Sequence, residues 1–140
     1  MSFLTVDKLA GYASLQDLGR DHAQHLGFSG SGAIDEYSYR LANWLMANPA
    51  NTPALEITLG QITLTASSPC CLVITGADCH AHIISNKQQP AKNQQPVYNN
   101  QLYQLQAGEQ LQLNRPSQML HSYLAVNGGF DGKRWLNSVS

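Results

Sequence analysis

The sequence predicts an all-β protein, a sandwich or barrel of short strands with one short helix plugging or flanking it. Three observations carry this. Apolar residues alternate with polar ones in several short runs, glycine or proline punctuates most of the gaps, and one segment alone switches to helical spacing. Phe3 to Val6 is the first strand candidate. Asp35 can cap a helix whose apolar positions Tyr37, Leu41, Trp44 and Leu45 follow i, i+4, i+7 and i+8, with Pro49 as its stop. On that spacing Trp44 is expected in the core. Leu55, Ile57 and Leu59 alternate with Glu56 and Thr58, and Ile62 and Leu64 with Thr63 and Thr65. Only Gly60 and Gln61 lie between the two runs, so Ala54 to Thr65 is expected to be one hairpin with a type II′ turn. Further strands are expected at Cys71 to Thr75, His80 to Ser85, Gln101 to Gln106, Gln110 to Leu113 and His121 to Val126. Asn86 to Asn100, rich in Asn, Gln, Lys and Pro, reads as a long exposed loop.

At 140 residues the chain fits one domain with a core of ordinary size. Its charged fraction of 12% is low, and Gln, Asn, Ser and Thr make up the difference, so the surface is polar without being strongly ionic. Eight basic and nine acidic residues leave a net charge of −1 with no cluster of Lys or Arg, which argues against a nucleic-acid partner. No apolar run approaches the length that spans a bilayer, and Asp7 and Lys8 break the N-terminal run that a signal peptide would need. Three cysteines, two of them adjacent at Cys70 and Cys71, fit a reducing compartment, so a cytoplasmic protein is expected.

The chain carries no GxxxxGK[ST] loop, no GxGxxG after a strand and no GxSxG elbow, so it does not advertise a nucleotide site or a serine nucleophile. Asp78, Cys79, His80 and His82 form the most metal-like group, because residues two apart in a strand share a face; spacing alone does not separate this from a decorated strand, and no metal is assigned. His22 and His25 are discounted in the same way, although a loop histidine could act as a general base. Arg20 can offer a two-pronged donor to a carboxylate or ureide, and Gln16 both a donor and an acceptor, which suits a small amide-rich substrate. The competing reading pairs Asp17 with Arg20 to tie down a loop, with Gln16 bonded to backbone. The glycine-rich run from Gly27 to Gly32 either presents backbone N–H groups to an anion or serves turn dihedrals. Glu56 points away from the face of Leu55 and Ile57 and reads as a solvated carboxylate. Asn43 is expected to bond nearby backbone, and Asn127-Gly128-Gly129 to form a tight turn.

Leu15-Gln16-Asp17-Leu18-Gly19-Arg20, followed by Gly27-Phe28-Ser29-Gly30-Ser31-Gly32-Ala33-Ile34-Asp35, resembles the "VQDLGR…SGAMD" opening of the allophanate hydrolase subunit 2 family. Arg40-Leu41-Ala42-Asn43 with Asn48-Pro49, Ala54 to Gly60, Thr75-Gly76-Ala77-Asp78 and Tyr123 to Phe130 are similar, in order, to that family's later motifs. Five ordered motifs at compatible spacing are far more specific than any one of them. The resemblance implies a cyclophilin-like β-barrel over 1–140, matching the N-terminal half of a longer family member. It also implies the role of a C-type subunit in an ATP-dependent 5-oxoprolinase complex that opens 5-oxoproline to glutamate. Substrate contact would fall to Gln16, Asp17, Arg20, Ser31, Gly32 and Asp35, with catalytic residues unassigned. ATP would sit on a partner subunit and any biotin on another chain, since no biotin-accepting Lys flanked by methionines is present. Expected partners are the other 5-oxoprolinase-type subunits and a small amide or lactam. The alternatives are a carboxyltransferase-like piece acting on urea or another amide, and a non-catalytic antagonist of a kinase inhibitor. The family's "GSRST" segment falls on Asn137-Ser138-Val139-Ser140, which lacks its glycine and arginine, and because the sequence shows no recognisable nucleotide site and stops before the family's second half, the isolated chain is expected to be inactive.

Overall fold

Alternating apolar residues produce eight strands, and the one stretch of helical spacing produces one helix, among the described residues of a computed structural model (4–18, 32–85, 88–89, 92–118 and 120–130). In chain order these are β1 (Leu4–Gln16), α1 (Glu36–Leu45), β2 (Ala54–Ala66), β3 (Cys70–Gly76), β4 (Ala81–Ile84), β5 (Gln94–Val97), β6 (Tyr103–Leu105), β7 (Gln110–Leu113) and β8 (His121–Val126). The strands form a nearly closed, barrel-shaped sheet in the order β5-β4-β7-β2-β8-β3-β6, with β1 added alongside β2. The expected all-β barrel with one helix is therefore the observed architecture.

β2 is the hub. Its first half pairs with β8 from Leu55↔Leu124 to Thr58↔His121, and its second half with β7 from Ile62↔Leu113 to Thr65↔Gln110. β1 runs beside the whole of it, from Leu4↔Ala66 to Gln16↔Ala54. The hairpin expected over Ala54 to Thr65 does not form: this segment is one continuous strand of 13 residues. Gly60 marks a close backbone approach instead of a turn. A Cβ on Gly60 would stand 2.2 Å from the Ala10 carbonyl oxygen, and one on Gly11, whose φ is +102°, would stand 2.5 Å from Gly60 Cα. Leu59, at φ 49°, turns the strand at the same point, and this lets one strand serve two neighbours. β1 shows register shifts between Val6 and Lys8, where Asp7 is an extra residue in its ladder, and between Ala10 and Tyr12, where Gly11 alone faces Leu59 and Gly60 and the extra residue lies in β2.

Two apolar layers result. Inside the barrel lie Ile57, Ile62, Leu64, Leu72, Ile74, Leu111, Leu113 and Leu124. On the opposite face of β2, β3 and β8, Ala54, Val73, Tyr123 and Ala125 are covered by Tyr39 and Ala42 of α1. The helix begins where the sequence places it: the Asp35 carboxylate accepts the Ser38 N–H at 3.1 Å. Of the expected apolar face, Leu45 packs partly against this layer, but Tyr37 and Trp44 do not turn inward. Ser38, Tyr39, Ala42 and Asn43 are buried, whereas Tyr37 and Trp44 are each 76% exposed. Polar anchors select this face. Tyr39 Oη and Asn43 Nδ2 both donate to the Thr52 carbonyl, at 2.6 and 2.8 Å, and Thr75 Oγ1 donates to the Ser38 carbonyl at 2.7 Å. The small Ala42 then meets the small Ala54 and Ala125. The helix ends at Met46, followed by Ala47 in the left-handed region, before Pro49 is reached.

The other strands fall close to expectation, β7 and β8 with the expected bounds. β1 continues well past Val6, and β5 lies inside the segment read as a loop. There it pairs with β4 from Ala81↔Val97 to Ile84↔Gln94, and Pro96 is tolerated because β5 ends the strand order. Asn43 bonds backbone and Asn127-Gly128 forms a turn, both as expected. Among the described residues no helix is long and apolar enough to cross a membrane.

Gly60→Ala is expected to lower stability by about 1–3 kcal/mol, because the methyl group meets fixed backbone. Tyr39→Ala is expected to cost about 3–5 kcal/mol, while Trp44→Ala stays within about 0.5 kcal/mol. Urea unfolding of the three variants checks the crossing and the helix face together.

Candidate functional site

The end of β1 and the start of α1 meet, and backbone bonding explains how. Leu15 and Gln16 pair with Leu55 and Ala54 of β2. Beyond them the Asp17 carbonyl accepts the Ala33 N–H at 3.0 Å, and the Leu18 N–H donates to Asn51 Oδ1 at 2.8 Å. The incoming segment from Gly32 to Asp35 is pinned from below by two side chains that face each other across β2 and β8. Glu56 Oε2 accepts the Ile34 N–H at 3.0 Å and the Tyr123 hydroxyl at 2.5 Å, and the same hydroxyl accepts the Asp35 N–H at 2.8 Å.

Glu56 is 2% exposed, which corrects the expectation of a solvated carboxylate. Leu55 and Ile57 do face the other way, but the face of Glu56 is roofed by α1 instead of water. A buried carboxylate persists there because two donors converge on one oxygen. Burial, and then donation to Glu56, push the Tyr123 hydroxyl above the usual tyrosine range, so it remains a donor at neutral pH. Burial, with the neighbouring Asp17 charge, raises Tyr39 in the same direction. The four buried residues from Tyr123 to Val126 were the available signal: an unbroken apolar run marks a strand covered on both faces, so a partner such as Glu56 cannot be wet.

Of the residues singled out in the sequence, Gln16, Asp17, Gly32 and Asp35 lie along these two joined segments. Arg20 and Ser31 lie outside the described residues, as do His22, His25 and the run 27–31. Asp17 is completely buried. The Asp35 carboxylate is engaged at the helix start, accepting Ser38 N at 3.1 Å and Ser38 Oγ at 2.5 Å. Gln16 differs. Its Nε2 donates to Ser14 Oγ at 2.8 Å, while its Oε1 is buried and, among the described residues, accepts no hydrogen bond. A buried acceptor without a donor is unfavourable by about 1–3 kcal/mol, and a ligand N–H would relieve it.

The Asp78, Cys79, His80 and His82 group does not converge. Cys79 points into the barrel, where burial pushes its thiol up to about 11, while His80 is exposed at φ 47° with its N–H on Asp78 Oδ1. Among the described residues, no three His, Cys, Asp or Glu side chains gather as metal ligands would.

The family model for the carboxyltransferase domain, subdomain A and B, matches residues 26–140. The C-type subunit of 5-oxoprolinase from Escherichia coli strain K12 is 38% identical over 137 residues, covering 98% of this chain and 41% of that protein. The crystal structure of the K. lactis urea amidolyase superposes with a TM-score of 0.84 at 27% identity, over 96% of this chain and 8% of that one. That of TTHA0988 gives 0.80 at 27% identity, over 98% of this chain and 48% of that one. The chain thus spans 41% of the length of its Escherichia coli relative.

Glu56→Ala is expected to destabilise the protein by about 1–3 kcal/mol for each of the two donors it orphans, whereas Glu56→Gln, which keeps an acceptor, costs less. Chemical denaturation of the pair measures this. The Cys79 thiol, raised from 9 to about 11, supports the fold fully below pH 9 and progressively less between pH 9 and 11, since the unfolded chain deprotonates first. Tyr39 and Tyr123, raised from 10, extend the decline above pH 10. Stability followed from pH 8 to 10 should fall less steeply in Cys79→Ala than in the parent.

Proposed function

Because the chain belongs to the carboxyltransferase domain, subdomain A and B, family, we propose that it supplies part of the substrate-binding surface of an ATP-dependent 5-oxoprolinase assembly. The site is the junction of β1 with the segment from Gly32 to Asp35. The observation that carries this reading is the orphaned Gln16 Oε1. A lactam such as 5-oxoproline presents an N–H beside its carbonyl, and that N–H is the donor this oxygen lacks. The carboxylate of the same substrate would fall to Arg20, whose guanidinium forms a bidentate pair where lysine forms a point contact. Support from kinship comes from the Escherichia coli 5-oxoprolinase relative at 38% identity.

A lactam carbonyl is a poor electrophile, and ATP supplies phosphate activation of its oxygen. The described residues do not fit a triphosphate. Arg40 is held by Glu36 at 2.7 Å, and the polar dent bounded by Lys8, Gln61, Thr63 and Gln112 offers one cation. In this reading a partner subunit of the cytoplasmic assembly therefore binds ATP, and any biotin is carried by another chain. What this chain does is orient the lactam ring. A second reading, carboxyl transfer to urea or a related amide, is favoured by the TM-score of 0.84 to a urea amidolyase. Both substrates offer an amide N–H to Gln16.

Co-purification with candidate 5-oxoprolinase subunits, followed by an assay of ATP-dependent glutamate release, tests the reading. The chain alone is expected to release none. In the complex, Gln16→Leu should lower kcat/KM for 5-oxoproline about tenfold or more while leaving Tm unchanged or higher, because the substitution also removes a buried orphan. Arg20→Lys should lower it as well, and His80→Ala should not. Turnover of urea with carboxybiotin, and none of 5-oxoproline, would favour the second reading.

A further inference from the structure

The bend of β2 at Leu59 and Gly60 divides the outer face of the sheet in two. Before it, the outward residues Ala54 and Glu56 lie under α1. After it, Gln61, Thr63 and Thr65 alternate with the barrel-facing Ile62 and Leu64, and Gln110 and Gln112 of β7 alternate with Leu111 and Leu113. Register sets Lys8 of β1 and Gln112 of β7 on the two sides of Thr63. In the row on one side, Thr65 Oγ1 and Gln110 Nε2 both donate to the Asp7 carboxylate. On the other side, just past β7, Asn114 Nδ2 donates to the His80 carbonyl at 2.8 Å. Between these occupied groups, Lys8, Gln61, Thr63 and Gln112 line a dent of about 260 Å³, with Thr63 and Gln112 half-buried and Lys8 and Gln61 exposed. Among the described residues, none of these four side chains has a hydrogen-bond or ionic partner.

We propose that this dent is a second ligand site, built for a small carboxylate that carries one negative charge and an amide or hydroxyl group at its other end. The lining offers one ammonium, two amides and one hydroxyl. A single cation matches a single charge, whereas a phosphate dianion would bring a second charge with no counterpart. The glutamine amides both donate and accept, and the group that answers them is one that does the same. Size sets a further limit. At about 30 Å³ for each water, the dent holds the volume of roughly nine, which suits a ligand of about eight to ten non-hydrogen atoms and excludes a nucleotide. Strands lie about 4.8 Å apart, so the backbones of Lys8 and Gln112 are roughly 10 Å apart across β2. A chain of four or five carbons bridges the gap that their side chains leave, with its carboxylate on Lys8 and its neutral end between Thr63 and Gln112. Gln16, by contrast, pairs with Ala54 at the far end of β2, about 30 Å of strand away. The dent is therefore separate from the proposed substrate site and does not depend on that reading.

The test titrates the purified chain with succinamate and follows the side-chain amide resonances of Gln61 and Gln112 by NMR. Saturable shifts at both are expected in the millimolar range. Lys8→Met and Gln112→Leu should each weaken binding about fivefold or more, Lys8→Arg should retain it, and the uncharged succinamide should bind about fivefold more weakly than succinamate. These side chains lie at the surface, so the variants should keep the parent Tm. Gln112→Glu, which keeps the shape but adds a like charge, should abolish binding and stands in if Gln112→Leu loses its fold. Gln16→Leu should change nothing. The proposal is overturned by the absence of saturable shifts below about 20 mM, by equal affinity for succinamide, or by unchanged affinity in both Lys8→Met and Gln112→Glu. Binding that Gln16→Leu abolishes would place the ligand at the other end of β2 and overturns it as well.

Discussion

The carboxylate of Glu56 joins three parts of the chain that are remote in sequence. It lies in β2, it receives the Tyr123 hydroxyl from β8, and it receives the Ile34 N–H from the segment that enters the helix. The Asp35 N–H completes the set by donating to Tyr123. These bonds decide where the helix starts over the sheet. The position of the helix then decides that Tyr39 and Ala42 cover β2, β3 and β8 and that Tyr37 and Trp44 do not. In a medium of low dielectric such a network is either fully satisfied or strongly unfavourable, so it specifies one arrangement of the junction between β1 and the helix more sharply than apolar contact would.

Local signals in the sequence were reliable wherever one strand or one cap decided the outcome. The alternation in Gln110 to Leu113 and His121 to Val126 gave those strands directly, and Asp35 followed by Ser38 gave the helix start. What was not legible depended on partners far along the chain. Gly60 looks like a turn until Gly11 is known to cross it, and Glu56 looks solvated until a helix is known to cover that face. The stripe of Tyr37, Leu41 and Trp44 predicted an inward face. The competing anchors, Tyr39 and Asn43 on the Thr52 carbonyl, are polar and leave no trace in a hydrophobic pattern.

The candidate site was legible in a different sense. Motif resemblance singled out Gln16, Asp17, Gly32 and Asp35 without any knowledge of their spacing in three dimensions, and the bond from Ala33 to Asp17 ties the two segments that hold them. Their separate duties could not be read from a motif. The Asp35 carboxylate is engaged at the helix start, while Gln16 keeps one oxygen without a donor among the described residues, and only the geometry distinguishes the two.

The irregularities of β1 have a bearing on how this chain behaves in a crowded solution. Among the described residues β1 pairs with no strand except β2, although it is 13 residues long and exposes Val6, Leu9 and Tyr12. A long, flat, apolar border of that kind recruits other chains into growing sheets. Here Asp7, an extra residue against β2, and Gly11, at φ +102°, interrupt the rhythm of backbone donors and acceptors, and Lys8 places a charge beside the first break. The same glycine that lets two backbones cross thus also keeps the strand from serving as a template for fibril growth.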